Sequence, residues 1–380
     1  PFNNMFSHVI GYIGSLTKEE YNTYKDVGYK YYQKIGKAGI ERQYDSILRG
    51  VDGYVRRIVD AKNRTEGEEI GQHPKSGYNI VLTLDYDVQK TAYTALGDNR
   101  GSVIVMKPAT GEIISIVSKP DYDPNLIISK NNIKIITELN NDKNKPFLNR
   151  AIQSRYPPAS TFKVIMTAAG LESGKISENT QFYCPGYYDA GNRVFKCWEK
   201  KGHKRVDLIA GLAKSCDVYY YNVGNLIGPY EIENMARKFR LNEKTGIDLP
   251  YEKEGKIFGP RSRMSGKGYW FIGDTLNMSI GQGETLVTPM EMLMVMSSIA
   301  NKGKFYKPYY VDSIVSSDGK VILHNEPQVV SEISLKDETY AILYKALRSV
   351  ITDGTGKLAD VPGVDVYGKT GTAQNPHGKD

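Results

Sequence analysis

The apolar pattern of this chain changes period twice, and that ordering limits the folds open to it. Ile80-Val81-Leu82-Thr83-Leu84 is a β-rich run, and Asp85 behind it is placed to cap a helix over 88–96. Residues 101–106 and 112–118 flank Lys107-Pro108-Ala109-Thr110-Gly111 and read as a hairpin. From Ser160 to about residue 300 the pattern is largely helical. A second hairpin over 311–323 turns at Asp318-Gly319, a helix covers 337–352, and a strand over 364–367 follows. Strand, helix, hairpin, helices, strand implies an α+β sheet with a helical lobe.

The first 75 residues or so read differently. They carry helical periodicity over 18–32, rich in Tyr and Lys, then the Gly-punctuated runs Gly36-Lys37-Ala38-Gly39-Ile40-Glu41 and Leu48-Arg49-Gly50-Val51-Asp52-Gly53. Residues 61–75 are polar, contain Gly67, Gly71 and Pro74, and read as a turn-rich connection. Residues 132–145, rich in Asn and Lys, read as a surface excursion.

Composition excludes some functions. No run of eighteen apolar residues is present, so nothing here has the length and hydropathy of a membrane span. The excess of 50 basic over 43 acidic side chains is too small, and too scattered, to mark a nucleic-acid surface. The chain opens on Pro1 without a signal peptide, as a trimmed piece of a longer protein would.

Three short motifs carry chemistry. In Tyr156-Pro157-Pro158-Ala159-Ser160-Thr161-Phe162-Lys163 the prolines suit the turn before a helix. Ser160 and Lys163, three apart, then share one helix face. The positive helix N-terminus favours serine alkoxide character and disfavours a charged lysine. That is a nucleophile and a base. Alone, Ser-x-x-Lys is more often a capped helix with a surface lysine. Ser215-Cys216-Asp217 follows fifty-five residues on, and Lys369-Thr370-Gly371-Thr372 closes a β run. Gly371 lets an edge backbone approach a substrate, a backbone N–H beyond it can serve an oxyanion hole, and Lys369, Thr370 and Thr372 suit a carboxylate. Ser-x-x-Lys, Ser-x-Asn-like and Lys-Thr-Gly, in that order, form the set found in penicillin-binding proteins and class A β-lactamases.

The chain resembles the class B penicillin-binding proteins, and among them the elongation type, over nearly its whole length. Beyond the three motifs, the resemblance includes His8-Val9-Ile10-Gly11-Tyr12, Gly39-Ile40-Glu41 with Leu48-Arg49-Gly50, Ser279-Ile280-Gly281-Gln282-Gly283 and Thr352-Asp353-Gly354-Thr355-Gly356. It implies a penicillin-binding, serine β-lactamase-like fold over 76–380: an antiparallel sheet flanked by helices, with a partial pedestal of the dimerisation type over 1–75. It implies Ser160 as the acylated nucleophile, Lys163 as general base, and Ser215 with Lys369 as the relay to a leaving D-alanine. Thr370 and Thr372 would bind the substrate carboxylate, and the backbone N–H groups of Ser160 and Thr372 would form the oxyanion hole. Peptidoglycan stem peptides, β-lactam antibiotics and wall-elongation membrane proteins are the implied partners. The implied location is the outer face of the cytoplasmic membrane, held by an N-terminal helix that precedes these residues. Ala159 stands where relatives usually have Gly, and Asp217 where many have Asn. Relatives continue beyond the equivalent of Asp380 with further strands and a helix, so the Lys-Thr-Gly strand is expected to lack a neighbour.

Cys184, Cys197, His203 and Cys216 offer three thiols and an imidazole, a tetrahedral zinc set, though without a Cys-x-x-Cys knuckle. Free buried thiols, or one disulfide with a thiol left over, fit the same spacing. Some elongation-type relatives carry zinc at matching positions, with Asp at some of them, so the resemblance implies structural Zn2+ here. His8, His73 and His324 read as packing or surface residues, and His377 as part of a solvated loop beyond the Lys-Thr-Gly motif. Two other readings remain. A serine β-lactamase or β-lactam sensor would share the motifs without the N-terminal segment. A non-catalytic fragment could serve only to dock wall-elongation partners.

Overall fold

Asp85 accepts hydrogen bonds from Asp87 N and Val88 N and so starts the helix Tyr86–Leu96, as the sequence implied. The computed structural model describes residues 3–129, 132–191, 193–266 and 268–373; His377 lies outside them. The chain forms two compact units, Pro1–Gln153 with Gly246–Glu252 and Lys307–Gln328, and Ser154–Thr245 with Lys253–Tyr306 and Val329–Asp380. These units cut the chain elsewhere than near residue 75, because pairing in space, not order in sequence, decides them.

In the first unit, Gly11 and Gly39 explain two of the N-terminal motifs. A Cβ on Gly11 would lie 1.8 Å from Ala38 O, and one on Gly39 would lie 2.3 Å from Val9 O. The two backbones touch, and only glycine permits it. The helix Lys18–Tyr24 starts on a Thr17/Glu20 capping box and turns Tyr21 and Tyr24 toward Leu16, Tyr29 and Ile35. It stops short of the expected residue 32 because the chain tightens over Lys25–Val27 and reverses at Gly28, φ +93°. His8 is buried, edge-on to Tyr122.

Tyr54–Val59 and Thr65–Gln72 form an antiparallel hairpin, whose second strand lies inside the 61–75 stretch expected to be a turn-rich connection. The Asp60 carboxylate accepts from Lys62 N and Arg64 N and closes the turn. Both faces are largely exposed, so no alternation marked the second strand in sequence. The expected hairpin Gly101–Met106 with Ile113–Lys119 is present. Asn79–Leu82 pairs with Val311–Val315, which pairs with Val321–His324, forming a three-stranded antiparallel sheet from segments far apart in sequence. Buried Gln89 reaches from the Tyr86–Leu96 helix to both the N–H and the carbonyl of Ile116. Asn132–Asn141 is a surface helix, with Ile135, Ile136 and Leu139 half-buried at helical spacing.

In the second unit the helices Lys163–Glu172, Asp217–Ile227, Pro229–Lys238 and Pro289–Ala300 supply most of the core, and Asp337–Thr352 falls where its periodicity placed it. Residues 163–171 are buried without a break, a helix enclosed on all sides. The middle is not wholly helical: Phe182–Cys184 pairs with Lys204–Val206, and Tyr187–Asp189 with Val194–Lys196. Residues 364–367 join no strand ladder among the described residues. They are held instead by Gly368 N donating to Leu347 O and Arg348 Nη1 donating to Val366 O. A strand exists only as part of a ladder, and beyond the isolated bridge between Val361 and Val364 none is described for this segment.

Candidate active site

Three turns converge in the second unit. The first is the 3₁₀ turn Ala159–Phe162, which runs into the helix that begins at Lys163. Ala159 holds a left-handed φ of +50° and donates its N–H to Gly281 O at 2.8 Å. Gly281, φ +67°, must be glycine: a Cβ there would sit 2.2 Å from Ala159 O. The Ser279–Gly283 motif is therefore the floor under Ser160.

The second turn carries Ser215, also left-handed at φ +53°. Such backbone strain persists only where the surroundings impose it, and it concentrates at functional sites. Cys216 caps the helix Asp217–Ile227, its sulfur accepting from Tyr219 N, which brings Asp217 into the first helical turn.

Lys163 joins these two turns. Its side chain is 0 % exposed, and Nζ donates to Asp217 Oδ1 at 2.7 Å, Ser215 O at 2.8 Å and Ser215 Oγ at 3.3 Å. A buried ammonium needs this density of acceptors. The Tyr220 ring lies beneath it, with Nζ 5.5 Å from the centroid.

Lys369 approaches Ser215 from the third segment. Its Nζ donates to Ser215 Oγ at 3.0 Å and to Thr370 O at 2.9 Å. Burial, then the Lys163 charge, depress its pKa to about 7, against a smaller upward pull from Asp217. Ser215 Oγ thus sits between two lysine nitrogens. Gly371 lies against the nucleophile turn, where a Cβ would come 3.0 Å from Thr161 Cγ2. Thr370 and Thr372 are exposed, open to a ligand.

The sequence reading missed Trp198. Its N–H donates to Asp217 Oδ2 at 3.0 Å, and its indole Nε1 donates to the carbonyls of Lys214 and Ser215, each at 3.1 Å. It also packs edge-on to His203, with centroids 5.2 Å apart. A main-chain donor carries no residue-type signal, although an exposed Trp beside Cys197 was available as a hint.

Cys184, Cys197, His203 and Cys216 do meet: their ligand atoms all lie within 4.8 Å of one another. His203 Nδ1 is 3.8 Å from Cys184 Sγ and 3.6 Å from Cys197 Sγ. Tetrahedral zinc, with Zn–S of about 2.3 Å and Zn–N of about 2.0–2.1 Å, sets S···N edges of about 3.6 Å. Contact with Cys216 holds Cys197 well below the usual thiol range, and the same contact, with burial, pushes Cys216 up. His203 Nε2 is buried without a partner among the described residues. The donor set and its spacing fit a four-coordinate zinc ion, and the three cysteines form no disulfide.

The penicillin binding protein transpeptidase domain family matches residues 101–380, and the penicillin-binding protein dimerisation domain family matches residues 1–82. The peptidoglycan D,D-transpeptidase MrdA of Acinetobacter baumannii is 33% identical over 377 residues, 98% of this chain and 56% of the relative. This chain therefore spans about half the length of that relative. A solved complex of penicillin-binding protein PBP2 with MreC from Helicobacter pylori superimposes with a TM-score of 0.84 at 29% identity, over 99% of this chain and 69% of that one. A ceftriaxone acyl-enzyme of penicillin-binding protein A from M. tuberculosis gives 0.78 at 26% identity, over 99% and 79%. The fold expected from the sequence is the fold found, and the chain belongs to the penicillin-binding protein transpeptidase family, with a dimerisation segment ahead of the transpeptidase domain.

Proposed function

We propose that this chain performs the acyl-transfer step of a peptidoglycan D,D-transpeptidase, the activity named for its MrdA relative. The observation that carries this reading is Ser215 Oγ, held between Lys163 Nζ and Lys369 Nζ beside the turn that presents Ser160. Ser160 Oγ attacks the carbonyl of the penultimate D-alanine of a stem peptide. The deprotonated form of Lys163 takes the hydroxyl proton, and Asp217 stabilises the ammonium that this regenerates. The backbone N–H groups of Ser160 and Thr372 receive the oxyanion. As the C–N bond breaks, a proton passes through Ser215, flanked by Lys369, to the departing D-alanine amine. An amine of a second stem peptide then attacks the ester, the new amide forms, and Ser160 recovers its proton. Thr370 and Thr372 bind the terminal carboxylate, with Gly371 giving the substrate backbone room. β-Lactams acylate the same serine in this reading, which the existence of a ceftriaxone acyl-enzyme of the M. tuberculosis relative supports.

Cys184, Cys197, His203 and Cys216 hold Zn2+ in this reading. Four protein ligands leave no open position, so the ion would supply rigidity, not a nucleophile. Cys216 lies between Ser215 and Asp217, and its fixation fixes both. The location is the extracytoplasmic face of the cell membrane. Among the described residues no helix is long and apolar enough to cross a membrane. The N-terminal segment docks membrane-bound elongation partners in this reading; the H. pylori relative is solved in complex with MreC.

The test is labelling with a fluorescent penicillin, on this chain and on Ser160→Ala. A stable label lost in Ser160→Ala is the expected result. Rapid release of the label would favour a β-lactamase. A folded chain that takes no label yet retains an elongation partner would leave only the docking role.

A further inference from the structure

The Thr352–Gly356 turn was marked in the sequence, yet none of the steps above uses it. Its geometry is specific. Thr355 N donates to Ala213 O at 3.1 Å, two residues before Ser215. A Cβ on Gly354 would fall 2.1 Å from that same carbonyl, so the turn is pressed onto the Ser215 loop. Gly356 N donates back to Val350 O at 2.9 Å and locks the turn to the end of the Asp337–Thr352 helix. From this fixed base, Thr355 Oγ1 reaches to 2.5 Å from Thr370 Oγ1.

We propose that Thr355 is a positioning residue that aims the Thr370 hydroxyl at the substrate carboxylate. The inference rests on the reading that Thr370 binds that carboxylate. A hydroxyl has one proton and two lone pairs, so one proton lies between the two threonines. If Thr370 supplied it, Thr370 would point away from the substrate. If Thr355 supplies it, a lone pair of Thr370 is filled by Thr355. Protonated Lys369 Nζ, donor only, stands 3.5 Å away on the same oxygen. The proton of Thr370 is then the one group it has left to offer, and an arriving carboxylate selects that arrangement. Thr355 touches no substrate; it decides which way its neighbour donates.

The experiment compares Thr355→Val, Thr355→Ser and Thr370→Val for acylation by benzylpenicillin and by benzylpenicillin methyl ester, which lacks the charged carboxylate. Thr355→Val is expected to slow acylation by the free acid about tenfold, the worth of one hydrogen bond to a charged group. The ester rate should stay within about twofold, the melting temperature should hold, and Thr355→Ser should restore the rate. Equal losses on acid and ester, or no loss on either, would overturn the positioning role. If Thr370→Val keeps the full preference for acid over ester, the carboxylate reading itself fails. If Thr370→Val loses that preference and Thr355→Val keeps it, only the positioning role fails.

Discussion

Lys163 Nζ lies 2.7 Å from Asp217 Oδ1, and the lysine side chain in that contact is fully buried. Removing one partner of such a pair leaves an uncompensated charge, at a cost of about 3–5 kcal/mol. Asp217→Ala should therefore lose that order of stability in urea unfolding. Asp217→Asn keeps an acceptor oxygen and should lose less. Joining Lys163→Met to Asp217→Ala should recover part of the loss, since the stranded charge goes with it. Additive losses would show that the pair is not the source.

Lys369 provides the pH signature. With its pKa depressed to about 7, its neutral form grows as pH rises through that value. Acylation measured by stopped flow should fall across the same range if protonated Lys369 resupplies the proton that Ser215 passes to the leaving amine, and Lys369→Gln should flatten the curve. The sign for stability follows. The folded value lies below the unfolded value of about 10.4, so the unfolded chain binds more protons between about 7 and 10.4. This group's contribution to stability must rise with pH over that window.

Ala159 and Gly281 should respond in opposite ways to exchange. In Ala159→Gly, relief of about 1–2 kcal/mol of left-handed strain is offset by about 0.5–1 kcal/mol of backbone entropy and about 0.8 kcal/mol for the buried methyl. The change should be nearly neutral, which explains why alanine is tolerated where relatives usually have glycine. Gly281→Ala drives a Cβ to 2.2 Å from Ala159 O and has no such balance. A loss above about 2 kcal/mol, with acylation slowed because the Ser160 turn must move, is expected. Melting curves and penicillin labelling of the two variants decide it.

Elemental analysis should find one zinc per chain. Cobalt exchanged into the site should give thiolate-to-metal absorption that Cys184→Ser, Cys197→Ser and Cys216→Ser each alter. Chelation should lower the melting temperature and slow acylation together, because Cys216 adjoins both Ser215 and Asp217. Three freely titrating thiols in a metal-free, fully labelled protein would count against the ion.

The legible parts of this chain were those whose signals are local. Asp85 before an apolar period, Lys107 to Gly111 between β-branched runs, and the 337–352 stripe each specify an element from a few neighbours. The motif residues were legible because side chains with distinctive chemistry recur in a fixed order. Trp198 escaped because it works through a main-chain N–H and through carbonyls, which any residue possesses. Thr355 stood inside a marked motif, but its target is fifteen residues away and set by a turn. The strands at 182–206 are three residues each, too short for a period of two to register. Residues 364–367 had the composition of a strand without a described ladder to make them one.

The loop from Lys214 to Asp217 has an evolutionary consequence. Lys214 and Ser215 lend their carbonyls to Trp198, Ser215 receives two lysines, Cys216 caps a helix and faces the other thiols, and Asp217 holds both Lys163 and the Trp198 backbone. No position from Ser215 to Asp217 has a single duty, so no substitution at those three can alter inhibitor fit alone. Mutational escape from β-lactams in this protein should leave that loop intact and accumulate around it, on side chains that answer to the drug and to nothing else.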